Sequence, residues 1–251
     1  MKDGLSLQIT TIDTAPEYYN VEKKLGKFNL ENFDLITKTA LNENGKIINY
    51  KELESNIKKS FSNLNTKFLY ALLIRSPVTL LKDKNLLDTI LSFKNKNLIS
   101  KIGYTLYDVE ELERLYEYFK PDIVQIPYSI VDQRFEKKNW ISKMHNDGVE
   151  IHVRSVFLQG LLLSDPNEIP HKFNKYKNFF KKLDLWIKEN KVSKLQACLN
   201  SILNDKRISK IVIGINNRNS LHEINRIKKT SLYYPKWIKL NDKRIIDPRE
   251  W

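Results

Sequence analysis

The chain has 251 residues, 41% of them hydrophobic, which suits one large domain or two small ones and is enough for a full core. No apolar run approaches the ~20 residues of a membrane-spanning helix, and the opening "MKDGLSLQITTIDTA" has neither the apolar block nor the small-residue cleavage pattern of a signal peptide. The net charge of +13 comes from lysines scattered through the sequence, with no aromatic RNA motif, zinc-ligand spacing or basic zipper beside them, so it does not carry a nucleic-acid reading.

In chain order, strand-like runs at 8–13 and 33–39 lead to a helical stripe of Tyr50, Leu53, Ile57 and Phe61. The apolar run "FLYALLI" (68–74) ends on Arg75, and Ser76-Pro77 marks a turn after it. A helix from Asp83 through Leu86, Leu87, Ile90 and Leu91 precedes a strand at 100–105. Asp108, with Glu111 three residues later, reads as a capping box that opens a helix with Leu112, Leu115, Tyr116 and Phe119 on one stripe. Strands at 121–127 and 149–155 follow. The basic segment 171–191 interleaves Phe173, Tyr176, Phe179, Phe180, Leu183 and Trp186 at the spacing of an amphipathic helix with a solvated lysine face. Cys198, the single cysteine, excludes an intrachain disulfide and sits on a helix-like apolar face as a core residue; a cytoplasmic setting is the default. A last strand at 210–214 closes the series.

Such repeated strand–helix alternation predicts a parallel sheet with helical crossovers. With only seven glycines, the loops must be built largely from Asn, Asp, Ser and Pro. Asp13, Lys38, Arg75, Thr105, Gln125 and Ser155 all fall at or near the C-terminal ends of successive strands. An open sheet would string them along an edge, whereas a closed barrel converges them on one mouth, so this pattern favours the barrel. Taken alone, Arg75 reads as a strand-end cation that snorkels or pairs with a carboxylate.

Several segments together resemble the aldo-keto reductase family. "IDTAPEYYNVEKKLGK" (12–27) is similar to the family's signature, in which an Asp-Thr-Ala strand end leads to a Tyr. "LITKT" (35–39) is similar to the strand that ends in its catalytic lysine, and "LLIRSP" (72–77) to its Leu-Leu-His-Ser-Pro strand. "IGYTLYDVEELERL" (102–115), "PDIVQIPYSIVDQR" (121–134) and "VRSVFLQGLLL" (153–163) follow in the family's order. "KIVIGINNRNSLHEI" (210–224) resembles its cofactor-phosphate segment, and the closing "IIDPREW" is also family-like. The resemblance runs over nearly the whole chain. It implies an α/β fold of the (β/α)8 barrel type, with residues 1–251 as a single barrel domain and seven recognisable parallel strands. The Asp-Thr-Ala strand is the second of the family's barrel and only about seven residues precede it, so most of the first β/α unit is expected to be missing.

The activity implied is NADP-dependent reduction of a carbonyl, or its reverse, with NAD as the alternative cofactor. The resemblance makes Tyr18 the proton donor, Lys38 the cation that tunes it and Asp13 the carboxylate that holds Lys38. A free tyrosine titrates near ~10, so a neighbouring cation is what brings proton exchange within reach of neutral pH. Gln125 and Ser129, the latter at a position where the family commonly has Asn, would face the nicotinamide carboxamide. Ser155, Phe157 and Gly160 would line the diphosphate. Gly214, Asn216 and Asn217 would bind phosphate where a helix begins, and Glu223 would face the adenine. Asn216 replaces a frequent basic residue. His222 is expected to face solvent, His152 to be a strand residue packed on helices, and no residue cluster has metal spacing.

Arg75 stands where the family normally has a histidine that polarises the substrate carbonyl. Arginine keeps its proton and favours carboxylates and phosphates, so it would donate to the carbonyl oxygen, pair with an anionic substrate, or tie up Asp13. The expected partner is a small carbonyl substrate, anionic or sugar-derived, and neither nucleic acid nor membrane. A catalytically impaired cofactor-binding protein of the same fold, in a regulatory or assembly role, is the second reading. A basic nucleic-acid binder is a distant third.

Overall fold

The computed structural model describes residues 2–42 and 49–251. Seven strands form where the apolar runs lie: β1 (Thr11–Asp13), β2 (Asp34–Lys38), β3 (Leu69–Ile74), β4 (Ile99–Thr105), β5 (Ile123–Pro127), β6 (Glu150–Arg154) and β7 (Lys210–Ile211). They follow one another in sequence order in a parallel sheet, with helices between them, so the α/β class and the seven parallel strands are as expected. Strands β2 to β5 are buried at most positions, polar ones such as Thr37, Lys38, Thr105 and Gln125 included, as expected where helices cover both faces of a parallel sheet. Only Lys210 and Ile211 of the run 210–214 pair, with His152 and Val153 of β6. Gly214 and its successors are exposed.

The chain divides into two compact units. The first comprises residues 1–125 with 146–150. Its core centres on Ile36, Ala71, Leu73 and Ile123 of adjacent strands, in a register that sets Lys38 beside Leu73, Leu73 beside Gly103 and Gly103 beside Ile123. A Cβ on Gly103 would lie 1.6 Å from the Ile123 carbonyl oxygen, so no other residue fits this crossing of β4 and β5. The helix Tyr50–Leu64 buries Leu53, Ile57, Ser60 and Leu64, and Lys84–Asn95 buries Leu86, Leu87, Ile90 and Phe93. Tyr50, Phe61 and Leu91, assigned to these stripes from the sequence, lie outside the buried set. Asp108 opens the helix Val109–Tyr118 without a side-chain cap bond, and Glu111 accepts from the Tyr107 N–H at 3.4 Å.

The second unit comprises residues 126–145 with 151–251. The α-helix expected over 171–191 begins only at Lys177, after a 3₁₀ segment His171–Tyr176 that holds Phe173 and Tyr176; Lys177–Glu189 buries Phe180, Leu183, Trp186 and Ile187 and leaves Lys181, Lys182 and Lys188 exposed, while Phe179 is only partly buried. Cys198 is buried on the helix Lys194–Leu203, and burial pushes its thiol up to about 12, an inert core residue. His152 is fully buried within β6. Arg134 ties the last residues down by donating to Asp132, Asp247 and the Ile246 carbonyl. This unit carries 25 Lys and Arg against 11 Asp and Glu, while the first carries 18 against 19, so the whole positive excess belongs to the second.

With so few glycines, Asn, Asp and Ser shape the loops. Asn49, Asp83, Ser193 and Asn217 cap helices through their side chains, and Asn20, Asn65, Asn97 and Asn139 take left-handed conformations usually left to glycine. Among the described residues no helix is long and apolar enough to cross a membrane.

Candidate active site

In the first unit the chain leaves β1 at Asp13 through a tight turn, in which Thr14 N–H donates to the Ile36 carbonyl and Tyr18 N–H to that of Ala15. Asn20, in a left-handed conformation, then starts the short helix Val21–Leu25. Glu22, buried on that helix, accepts from the Thr37 hydroxyl at 2.7 Å and from the Asn63 amide at 3.3 Å. These bonds fasten the turn that bears Tyr18 to β2, the strand that bears Lys38.

Lys38 ends β2 with its side chain only 5% exposed, and Asp13, 11% exposed, lies 2.6 Å from its Nζ. A buried ammonium without a partner would be costly. Asp13 supplies the countercharge, and the Thr14 carbonyl accepts a second bond from Nζ at 3.0 Å. The other oxygen of Asp13 accepts from the Gln125 amide at 2.8 Å. Thus Asp13 is held from two strands, and it in turn holds Lys38. The ammonium stands 5.6 Å from the centroid of the Tyr18 ring, which is itself 48% exposed. The arrangement joins a fixed, oriented cation to a phenol that solutes can reach.

Arg75 follows β3 directly and does not tie up Asp13. Its guanidinium lies 2.6 Å from Glu17, with the two side chains 29% and 32% exposed. Its backbone N–H donates to the Thr39 hydroxyl at 3.0 Å, and the second oxygen of Glu17 accepts from Leu41 N–H at 3.1 Å. A carboxylate partner is what a strand-end arginine calls for. Sequence reasoning nevertheless does not single out Glu17, although it stands directly before Tyr18.

In the second unit, Ser129 is fully buried, and its hydroxyl closes a turn by accepting from the N–H groups of Val131 and Asp132. After β6 the backbone passes through left-handed conformations at Ser155, Leu158, Gln159 and Gly160. Such conformations cost of order 1–3 kcal/mol at non-glycine residues and gather at ligand-binding loops. Phe157 lies within this loop, and nothing stands within 4 Å of where a Cβ on Gly160 or Gly214 would be. Asn217 caps the helix Arg218–Asn225 by accepting from the Ser220 N–H at 2.9 Å, with Asn216 exposed just before it. Glu223 lines a cavity of ≈ 520 Å³ with Ser193, Asn219, His222, Arg226 and Ile227. His222 is part-exposed beside this open pocket. The helical repeat from Glu223 is the signal that would have found Arg226, three residues on. Among the described residues no cluster could hold a metal ion.

The family model of the aldo/keto reductases matches residues 1–241. The holo form of the aldo-keto reductase AKR11C1 from Bacillus halodurans matches with a TM-score of 0.76 at 18% identity, over 92% of this chain and 80% of that one. The thermostable aldo-keto reductase Tm1743, solved with the inhibitor epalrestat, matches with a TM-score of 0.71 at 21% identity, over 92% of this chain and 81% of that one. At these identities the likeness is one of fold. Among curated proteins no match is found.

Proposed function

The chain belongs to the aldo/keto reductase family, and from that premise we propose that it is an NAD(P)-dependent oxidoreductase that reduces the carbonyl of an aldehyde, ketone or sugar-derived substrate. The observation that carries this reading is the Asp13–Lys38 ion pair, buried and held by Gln125, with its ammonium beside the exposed Tyr18 ring.

The second unit has features that fit a dinucleotide. Gly160 has a left-handed backbone with open space at its Cβ position, Gly214 is equally open, and Asn217 starts a helix whose first N–H groups suit a phosphate. Ser155, Phe157, Gly160, Gly214, Asn216 and Asn217 would hold the phosphates. Glu223 would meet the adenine, with Gln125 and Ser129 assigned to the carboxamide. When bound, NADP(H), or NAD(H) in its place, supplies the hydride.

The chain's own residues supply the proton. A carbonyl oxygen that gains electron density needs a donor within hydrogen-bond reach, and Tyr18 Oη is that donor. Once the proton has left, the phenolate is stabilised by Lys38. Asp13 keeps the ammonium oriented and balances its charge before the substrate arrives, so little reorganisation is needed at the moment of transfer. The reading includes a cytoplasmic setting and a small-molecule partner.

Tyr18→Phe tests the assignment. Turnover on a panel of aldehydes and keto-sugars is expected to fall by about 10²-fold or more, while NADPH binding, followed by fluorescence, persists. Unchanged turnover removes Tyr18 from the mechanism. NADPH binding by the unmodified protein with no turnover of any substrate would instead identify a cofactor-binding protein that has lost the reaction.

A further inference from the structure

Arg75 brings a permanent cation to the end of β3, and an unaccompanied guanidinium beside a reacting carbonyl would draw carboxylate substrates. It is accompanied, however. Glu17 lies 2.6 Å from it, and Glu17 is itself fixed by accepting the Leu41 N–H at 3.1 Å, so its carboxylate is anchored to the chain beyond β2. The bond from Arg75 N–H to the Thr39 hydroxyl anchors the arginine to the same segment. The pair is therefore a built feature with no net charge, on the residue next to Tyr18.

We propose that Glu17 determines substrate charge: by neutralising Arg75 it makes the site select uncharged carbonyl compounds, and it masks an anion site that Arg75 would otherwise form. This rests on the oxidoreductase reading given above. A neutral carbonyl or hydroxyl oxygen takes a guanidinium N–H without disturbing the ion pair. A substrate carboxylate must approach Glu17 against like charge and compete with it for the same donors, which costs more than it returns. Neutral sugar-derived carbonyl compounds pass this filter, and uronates do not.

The experiment compares the full-length protein with Glu17→Gln, which keeps the side chain's shape and its acceptor for Leu41 N–H, with Arg75→Met, and with the double variant. Two readouts are taken at low ionic strength. One is the ratio of kcat/KM on 4-nitrobenzaldehyde to that on 4-carboxybenzaldehyde. The other is calorimetric binding of benzoate in the presence of NADP+. The unmasked charge-assisted contact is expected to shift the ratio toward the carboxylate by about tenfold in Glu17→Gln, and to tighten benzoate binding by a similar factor. Both gains should vanish in the double variant, and 0.5 M salt should reduce them because the pair is partly exposed. Arg75→Met, which leaves Glu17 unbalanced, should move the ratio the other way. If Glu17→Gln and Arg75→Met both leave the ratio and benzoate binding where they were, Glu17 does not gate the site and the proposal falls. If no aldehyde is turned over but benzoate binding responds as described, the masked anion site stands and the reductase reading fails. If Glu17→Gln does not fold, an unchanged response in Arg75→Met alone overturns the proposal.

Discussion

Two lysines in the first unit each stand between a carboxylate and a tyrosine, at opposite ends of the strands. At the C-terminal ends, Lys38 is paired with Asp13 and lies under the ring of Tyr18. Near the N-terminal ends, Lys101 of β4 is paired with Glu150, the first residue of β6, and donates at 2.8 Å to the hydroxyl of Tyr70 on β3. The parts match but their wiring differs. Tyr70 donates directly to Glu150 at 2.7 Å, and burial, with the Glu150 carboxylate beside it, pushes the phenol above the usual tyrosine range. That phenol keeps its proton. In the other group Asp13 accepts from Lys38 and Gln125, so the carboxylate acts on the lysine and the tyrosine stays exposed. Strand starts take such residues from the strands themselves and close them on one another. Strand ends take the tyrosine from a loop, which leaves it in reach of a substrate.

The comparison is broken most directly by removing each lysine. Lys38→Met is expected to lower kcat by about 10²-fold or more, whereas Lys101→Met should leave kcat within about twofold while the protein loses stability. Steady-state kinetics with a thermal melt on both variants checks this, and equal loss of kcat in the two would dissolve the distinction. A smaller effect is expected from Gln125→Leu. Asp13 then loses one of its two side-chain anchors, and kcat should drop by about tenfold while the melting temperature falls by only a few degrees.

Glu150→Ala should cost roughly 1–3 kcal/mol in a urea titration, since it leaves Lys101 and Tyr70 without their shared acceptor in a half-buried site. The smallest effect concerns pH. Burial works against the charge of Lys101, yet its bonds to Glu150 and Tyr70 hold it above the usual lysine range. Lys101 and Tyr70 both keep their protons longer in the folded protein than in the unfolded chain. Their contribution is therefore complete below about pH 10 and is lost as pH rises through the folded values. Tyr70→Phe is expected to flatten the alkaline fall of the melting temperature above about pH 10. An identical fall in both proteins would assign it to other tyrosines.

Much of this could be read beforehand, because it depends on periodicity and order. Six of the seven strands lie within the runs that mark them and β4 starts one residue before its run, at Ile99; Asp13, Lys38 and Tyr18 come from one recognisable segment and the strand after it. What escaped depends on partners distant in sequence or on single-residue offsets. Glu17 and Arg75 are 58 residues apart, and no local pattern says that Arg75 chooses Glu17 over Asp13. The bond from the Gln125 amide to Asp13 is one that only the register of β1 to β5 brings about. Asp108 has the spacing of a capping residue but its side chain makes no cap bond, because a cap depends on loop geometry as well as on spacing.

The unequal charge of the two units bears on how fast a ligand arrives rather than how it is held. A dinucleotide with three or four negative charges diffuses toward a unit whose basic residues outnumber acidic ones 25 to 11, and a field of that sign raises encounter rates by roughly 10-fold or more at low ionic strength. Salt shortens the reach of that field to about 8–10 Å near physiological ionic strength. On the proposed reading, capture of a dinucleotide should therefore slow as salt rises, while turnover at saturating dinucleotide, governed by contacts a few ångströms long, keeps its pace. The lysines scattered over the second unit need touch nothing to contribute on that reading, because their collective potential would act while a dinucleotide is still in solution.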